Sequence, residues 1–337
     1  MTATPTRPAL VLAGPERFVV EVREPEESAA AQVAVDVDLV GLCGTDLHIV
    51  EGSHPRARFP LVLGHELVGR AIGGDLDGRL VVVDPLIACG TCAACSIGEA
   101  HVCDRLRLLG IDRDGGLSGR VVVDPDRLHL VPAGLDPEVA VLAEPLAVAV
   151  HAVERATVDP SDRVVVMGAG PIGLLIALTA RGSGAARIMI GERSTGRRTF
   201  AAEHGFEVLD PDDPVGDVQR RTDGWMADVV FDAAAAPSVA AILPRLVRPA
   251  GRIGLVGTYG RPVELDLQTV LFRELTLFGN RVYRPADIDT ALTLLAGDPE
   301  AFRLLISEIV TLDEAPRAFE RLRAGDGLKY VVATALA

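Results

Sequence analysis

The chain is 337 residues long and carries 33 Lys+Arg against 47 Asp+Glu, a net charge of −14. That length exceeds what one hydrophobic core usually supports and favours two domains, while the acidic balance repels phosphate backbones and anionic headgroups, which excludes nucleic acid and membrane as partner classes. Hydrophobic residues make up 49% of the chain but aromatic ones only 4%, so Val, Leu, Ile and Ala must fill the core, as they do in parallel strands covered by helices.

In chain order, segments 9–22 and 31–42 read as short strands between Pro- and Glu-rich turns, and 61–83 holds further strands punctuated by glycine. This first part is β-rich. An Ala/Val-rich helical stretch follows over 137–156, and the turn Asp159-Pro160-Ser161-Asp162 introduces a strand at 163–167. From there strands at 187–191, 228–231 and 252–256 alternate with helices at 172–181, 194–204 and 237–247, a βαβ series that predicts a parallel sheet. Residues 275–278 read as an apolar strand near the end of that series, and an edge of this kind needs a partner or a cover. After Gly279 the pattern gives a helix at 286–296, a strand at 308–311, a helix at 313–323 and a final strand at 330–333. No apolar run reaches membrane-spanning length, 139–153 being broken by Glu144 and Pro145, and residues 1–8 show neither a basic nor an apolar leader pattern. A cytoplasmic protein is expected.

Four of the five cysteines, Cys89, Cys92, Cys95 and Cys103, fall in one short loop with the spacing C-x2-C-x2-C-x7-C, and Cys43 stands alone upstream. Thiols two residues apart do not readily form disulfides with each other, but a loop wrapped around a tetrahedral ion presents thiolates at this interval, as structural zinc sites do. The loop has too few apolar side chains to fold by burial, and a metal would supply that stability.

Gly168-Ala169-Gly170-Pro171-Ile172-Gly173 matches G-x-G-x-x-G and stands between the first strand and the first helix of the βαβ series. In that place the glycines serve the tight turn, the approach of backbone to a pyrophosphate and the strand–helix contact, with the helix N-terminus facing the negative charge. Glu192 follows at the end of the second strand, where a carboxylate accepts hydrogen bonds from a ribose diol and repels a 2′-phosphate, so NAD is favoured over NADP. Arg193 and Arg197 stand beside it and could pair with a 2′-phosphate, which keeps NADP possible. Val256 and Gly257, at the end of the fourth strand, complete the expected cofactor-binding set.

Cys43-Gly44-Thr45-Asp46-Leu47-His48, Gly64-His65-Glu66-Leu67-Val68-Gly69, the four-cysteine loop, an A-E-P-L segment containing Glu144, the G-A-G-P-I-G loop and a C-terminal Gly327-Leu328-Lys329 occur in order along nearly the whole chain. With these motifs the sequence resembles the zinc-dependent medium-chain alcohol dehydrogenases, most of all the sorbitol and polyol branch. The resemblance implies an α/β protein: a β-rich GroES-like catalytic domain over 1–150 with both zinc sites, a Rossmann doubly wound parallel sheet over 151–280, and a return to the catalytic domain over 281–337. It implies two zinc ions per chain, one structural on Cys89, Cys92, Cys95 and Cys103 and one catalytic on Cys43, His65 and either Glu66 or Glu144, with an open position for substrate. Thr45 is then a hydroxyl relay, His48 the terminal base, Glu66 a further candidate for proton transfer, and Asp46 the group that orients His65. The expected reaction moves a hydride between NAD(H) and a secondary alcohol or ketone of a polyol, sugar or cyclitol, in a homodimer or homotetramer. Two other readings are a threonine-type amino-alcohol dehydrogenase and a non-catalytic dinucleotide-binding protein on the same fold, whose mark would be loss of the zinc-binding side chains. Arg281-Val282-Tyr283 stands where polyol relatives carry F-R-Y, so substrate contacts are not carried over from that segment.

Overall fold

The computed structural model describes residues 6–24 and 31–334; residues 1–5, part of the stretch read for a leader, lie outside it. The chain divides into two compact units, Met1–Glu144 with Arg284–Ala337, and Pro145–Tyr283.

In the first unit β1 (Arg7–Gly14) and β2 (Arg17–Arg23) form an antiparallel hairpin, followed by β3 (Val33–Gly41), α1 (Gly44–Val50), β4 (Leu61–Val62), β5 (Glu66–Ile72) and β6 (Leu80–Val83). The short β7 (Leu86–Ile87) and β8 (Arg107–Leu108) pair with each other on either side of the cysteine loop, which carries α2 (Ala93–Ser96). Then come β9 (Arg120–Val123), β10 (Leu128–Leu130) and α3 (Pro137–Ala140). After the second unit the chain returns through helices at Pro285–Gly297, Pro299–Arg303 and Ala315–Arg323 and through two parallel strands, Ile306–Thr311 and Lys329–Ala333. The main sheet runs in the order β10, β6, β5, β3, Lys329–Ala333, Ile306–Thr311, so the last strand of the chain lies directly beside β3. Flanked on both sides, β3 buries seven of its nine residues. That placement matters for the site: β5 and Lys329–Ala333 face each other across one strand.

α4 (Ala143–Arg155) leads into the second unit, so the single helical stretch expected over 137–156 is in two pieces, α3 and α4, with Pro145 in the first turn of the latter. Proline is tolerated there because the first turn needs no N–H. Next follow β11 (Arg163–Met167), α5 (Pro171–Gly182), β12 (Arg187–Gly191), α6 (Thr195–Glu203), β13 (Glu207–Val208), α7 (Pro214–Arg221) and β14 (Ala227–Asp232). The helix expected over 237–247 is instead two short pieces, α8 (Pro237–Ala240) and α9 (Leu243–Leu246), with Pro244 entering the first turn of the second. The unit ends with β15 (Val247–Leu255), α10 (Leu267–Phe272) and β16 (Thr276–Gly279). All six strands run parallel in the order β13-β12-β11-β14-β15-β16. The chain builds outward from β11 to β13, then returns to β14 and builds the other way, so the carboxyl ends of β11 and β14 form the switch point at which such sheets bind ligands. Val164, Val165, Val166, Met189, Ile190, Val229, Val230 and Phe231 are fully buried, as continuous apolar runs in a two-sided sheet should be.

Candidate metal centres and dinucleotide site

The cysteine loop brings four sulfurs together. Cys92 Sγ lies 3.5 Å from Cys95 Sγ and 3.7 Å from Cys103 Sγ, and Cys89 Sγ lies 4.0 Å from Cys95 Sγ. A tetrahedron with zinc–sulfur bonds of about 2.3 Å has sulfur–sulfur edges of about 3.8 Å, so this donor set fits zinc without rearrangement. Backbone N–H groups of Cys89 and Arg105 point at Cys103 Sγ, each at 3.3 Å, and the Arg105 guanidinium reaches Cys89 Sγ at 3.4 Å. Such donors favour thiolates. The hydrogen bond from the Thr91 backbone, helped by Arg105, holds Cys89 down to about 5, whereas burial and the adjoining sulfurs push Cys95 up to about 11.

The second cluster is buried and mixed. Ligand atoms of Cys43, His65 and Glu66 all lie within 4.8 Å of one another. Cys43 caps α1, and Asp46, three residues on, returns Oδ2 to the Cys43 N–H at 2.9 Å. Asp46 is fully buried, with Oδ1 3.4 Å from His65 Nδ1. Burial opposes the charge on His65, but the Asp46 carboxylate and Cys43 outweigh it and hold the ring well above the usual histidine range. With Nδ1 turned to Asp46, Nε2 is the nitrogen left for a metal, the arrangement by which an acid orients a ligating imidazole. Thiol, imidazole and carboxylate form a donor set that suits zinc.

Glu66 is held from the opposite side by a residue whose role the sequence did not disclose. Lys329, the only lysine beside 32 arginines, is 2% exposed and donates from Nζ to both Glu66 oxygens, at 2.6 and 2.8 Å, and to the Leu42 carbonyl at 2.9 Å. Burial works against its charge, yet Glu66, with Cys43 and Glu144 behind it, keeps its affinity for the proton raised. The pair spans two strand spacings, roughly 9.6 Å, across β3, and the residue it passes over is Gly41, registered with both Glu66 and Val331. A Cβ at Gly41 would lie 1.9 Å from Glu66 Oε2. The signal in the sequence was a lone lysine in the G-L-K triplet. Its partner is 263 residues away.

The other expected residues take less central places. Glu144 is buried but stands outside the converging set of Cys43, His65 and Glu66. Thr45 is half-buried and His48 exposed, three residues apart on α1, with His48 Nδ1 3.9 Å from Glu51. Arg56 donates to the Leu106 carbonyl and faces Asp112 at 3.3 Å, and Arg58 donates to the carbonyls of Pro55 and Ala57.

In the second unit Gly168 turns the chain at φ +109°, a conformation that favours glycine. Gly173 packs so tightly that a Cβ would stand 1.9 Å from the Gly168 carbonyl oxygen, whereas a Cβ on Gly170 would meet nothing nearer than the Arg197 guanidinium, 3.7 Å away. Gly170 caps α5 and Pro171 opens it, so the helix N-terminus and the Arg197 charge both face the space a pyrophosphate needs. Ile172 is half-buried in that first turn, and Arg193 is exposed. Glu192 accepts three backbone N–H groups, those of Ala169 (2.8 Å), Arg193 (2.7 Å) and Ser194 (2.8 Å), and so fastens the glycine loop to the end of β12. Val256 and Gly257 both donate their N–H to the Asp232 carbonyl at the end of β14.

The family model of the alcohol dehydrogenase GroES-like domain matches residues 29–133, and that of the zinc-binding dehydrogenase family matches residues 171–297. The chain is 35% identical over 315 residues to 2-dehydro-3-deoxy-L-galactonate 5-dehydrogenase of Pseudoalteromonas atlantica, covering 90% of this chain and 92% of that protein. Among solved structures it is similar to an alcohol dehydrogenase of Escherichia coli CFT073 complexed with NADH, at a TM-score of 0.91 and 28% identity over 97% of this chain and 99% of that one. A zinc-binding dehydrogenase of Sinorhizobium meliloti 1021 bound to NADP gives a TM-score of 0.91 at 30% identity, over 98% of this chain and 100% of that one. The chain belongs to the zinc-dependent medium-chain alcohol dehydrogenases, and it is an NAD(P)-dependent enzyme of that family.

Proposed function

We propose that the protein oxidises a secondary alcohol of a polyol, sugar acid or cyclitol with NAD, or reduces the matching ketone, in the cytoplasm, where unpaired thiols persist. The observation that carries this reading is the convergence of Cys43, His65 and Glu66, the side chains a non-catalytic relative would have lost. Zinc held by these residues would supply Lewis-acid polarisation of the substrate oxygen, and a dinucleotide held by the glycine loop and Glu192 would supply the hydride acceptor. Cys89, Cys92, Cys95 and Cys103 would hold a second zinc as a structural ion. Asp46 keeps His65 in the orientation that presents Nε2, and Lys329 fixes the Glu66 carboxylate. Thr45 accepts the proton from the substrate hydroxyl and passes it outward, and His48, exposed on the same helix face, delivers it to solvent. Glu144 acts from a short distance by adding negative charge around Lys329. The carboxylate of Glu192 at the adenosine end supports NAD over NADP. The relative acting on 2-dehydro-3-deoxy-L-galactonate supports a polyhydroxylated substrate.

A homodimer is supported by β16, the edge strand of the six-stranded sheet, and by Leu267, Leu271 and Phe272 of α10, the helix that precedes it in the chain, all more than 65% exposed. The test of the function is a panel of polyols, sugar acids, cyclitols and amino alcohols, assayed for NAD and NADP reduction by zinc-loaded protein. Turnover confined to amino alcohols would replace the polyol reading by the threonine-type one. For the relay, Thr45→Val should lower kcat on the order of 10²-fold or more with cofactor affinity unchanged.

A further inference from the structure

Asp232, the last residue of β14, is fully buried and ties together three segments at the carboxyl end of the parallel sheet. Its Oδ1 accepts the N–H groups of Ala234 (3.1 Å) and Ala235 (3.0 Å), and its backbone oxygen accepts those of Val256 (3.0 Å) and Gly257 (2.9 Å). Its Oδ2 accepts the Tyr259 hydroxyl. The segments so joined are closely fitted. Ala235 sits at φ +49°, against the preference of an L residue. A Cβ on Gly257 would stand 2.8 Å from Ala235 Cβ, and one on Gly168 would stand 3.1 Å from Ala234 N. The glycine loop therefore rests on residues 233–235, and these rest against the segment after β15. Tyr259 is the only side chain among the described residues whose bond to Asp232 reaches back from that segment.

A dinucleotide at a switch point lies across the strand ends, one half on each side. Glu192 and α5 mark the adenosine half, over β11 and β12, so residues 256–259 face the nicotinamide half, over β14 and β15. Asn280 stands at the same end of the sheet. Its backbone N–H and its Nδ2 both donate to the Leu255 carbonyl, at 2.9 and 3.3 Å, while its Oδ1 is buried without a partner. With no partner for Oδ1 among the described residues, this acceptor suits the N–H2 of a carboxamide.

We propose that Tyr259 is a positioning residue for the nicotinamide half of the cofactor: anchored on Asp232, it fixes residues 256–259 before the cofactor arrives, so that no loop has to be ordered on binding. This rests on the dehydrogenase reading. The test measures dissociation constants of NADH, by its fluorescence, and of ADP-ribose, which lacks the nicotinamide, by calorimetry, for wild type and Tyr259→Phe. The variant should bind NADH about tenfold more weakly, the worth of one hydrogen bond to a carboxylate, with ADP-ribose affinity changed less than about twofold. An unchanged ratio of the two constants, whether because neither moved or because both weakened together, would overturn the inference, since a general loosening of the site cannot distinguish the two halves. Wild-type protein that binds ADP-ribose but not NADH would also overturn it, and would remove the dehydrogenase reading first.

Discussion

The two metal-type clusters of the first unit are made of different donors in opposite surroundings. The four sulfurs of Cys89, Cys92, Cys95 and Cys103 hang on a loop with no buried residue between Cys89 and Gly98, held in shape by each other and by a few N–H···S contacts. Cys43, His65 and Glu66 are instead rooted on a helix cap and a central strand, and each is tied by a further residue: Cys43 and His65 by Asp46, Glu66 by Lys329. A loop that cannot bury its own side chains depends on its ion to fold, and four thiolates close the coordination shell. A cluster already supported by hydrogen bonds and an ion pair does not need the ion for its fold, and three donors leave a position open for chemistry. Metal dependence of folding and metal dependence of turnover should therefore separate cleanly between the two.

The sharpest separation is expected from Cys43→Ala. Losing a ligand of the catalytic ion should reduce kcat on the order of 10³-fold, because the Lewis acid is worth several kcal/mol to the transition state, while the melting temperature stays within a few degrees of wild type. Metal analysis should find one zinc in place of two. A variant that unfolds as readily as one lacking a loop cysteine would break the contrast.

Lys329→Met probes what supports the buried cluster. Removing one partner of a buried ion pair typically costs about 3–5 kcal/mol, so denaturant unfolding should shift by that amount, with faster loss of the catalytic zinc to a chelator. Gly41→Ala should act in the same direction but more weakly, about 1–3 kcal/mol, since the new methyl group would collide with the Glu66 carboxylate. If zinc release in Lys329→Met is no faster than in wild type, the lysine does not hold the ligand in place.

For the loop, Cys103→Ala removes the one buried cysteine of the four. Thermal unfolding should fall by roughly 10 °C, the order expected when a few kcal/mol of metal-linked stability are lost, with one zinc released and residual kcat on folded protein within a few-fold. The smallest effect is expected in the second unit, which holds no cluster of this kind among the described residues. Glu192→Ala should weaken NAD about tenfold and narrow the preference over NADP by a similar factor, because both the diol contact and the repulsion of a 2′-phosphate go. Some loss of NADP affinity should accompany it, since Glu192 also fastens Ala169 of the glycine loop.

Whatever depends on near neighbours could be read from the sequence. The cysteine spacing and the glycine loop between β11 and α5 are local, and they folded where their motifs stand, whereas the helix that Cys43 caps was not read from the sequence. Strands 163–167 and 187–191 were legible because continuous apolar runs bounded by turn residues suit a sheet covered on both faces. Element breaks were harder: Pro244 divided an expected helix, since a pattern of apolar residues does not say where a missing N–H will be tolerated. Contacts between distant strands were beyond reach. That Glu66 meets Lys329 follows from the last strand of the chain settling beside β3, and from Gly41 leaving the space between them, neither of which any local pattern encodes. The same holds for Tyr259 and Asp232, which face each other only because β14 and β15 end side by side. Local sequence set which chemical groups the protein carries and which short segments present them; the sheet order, a sum of long-range pairings, settled which of those groups hold one another in place.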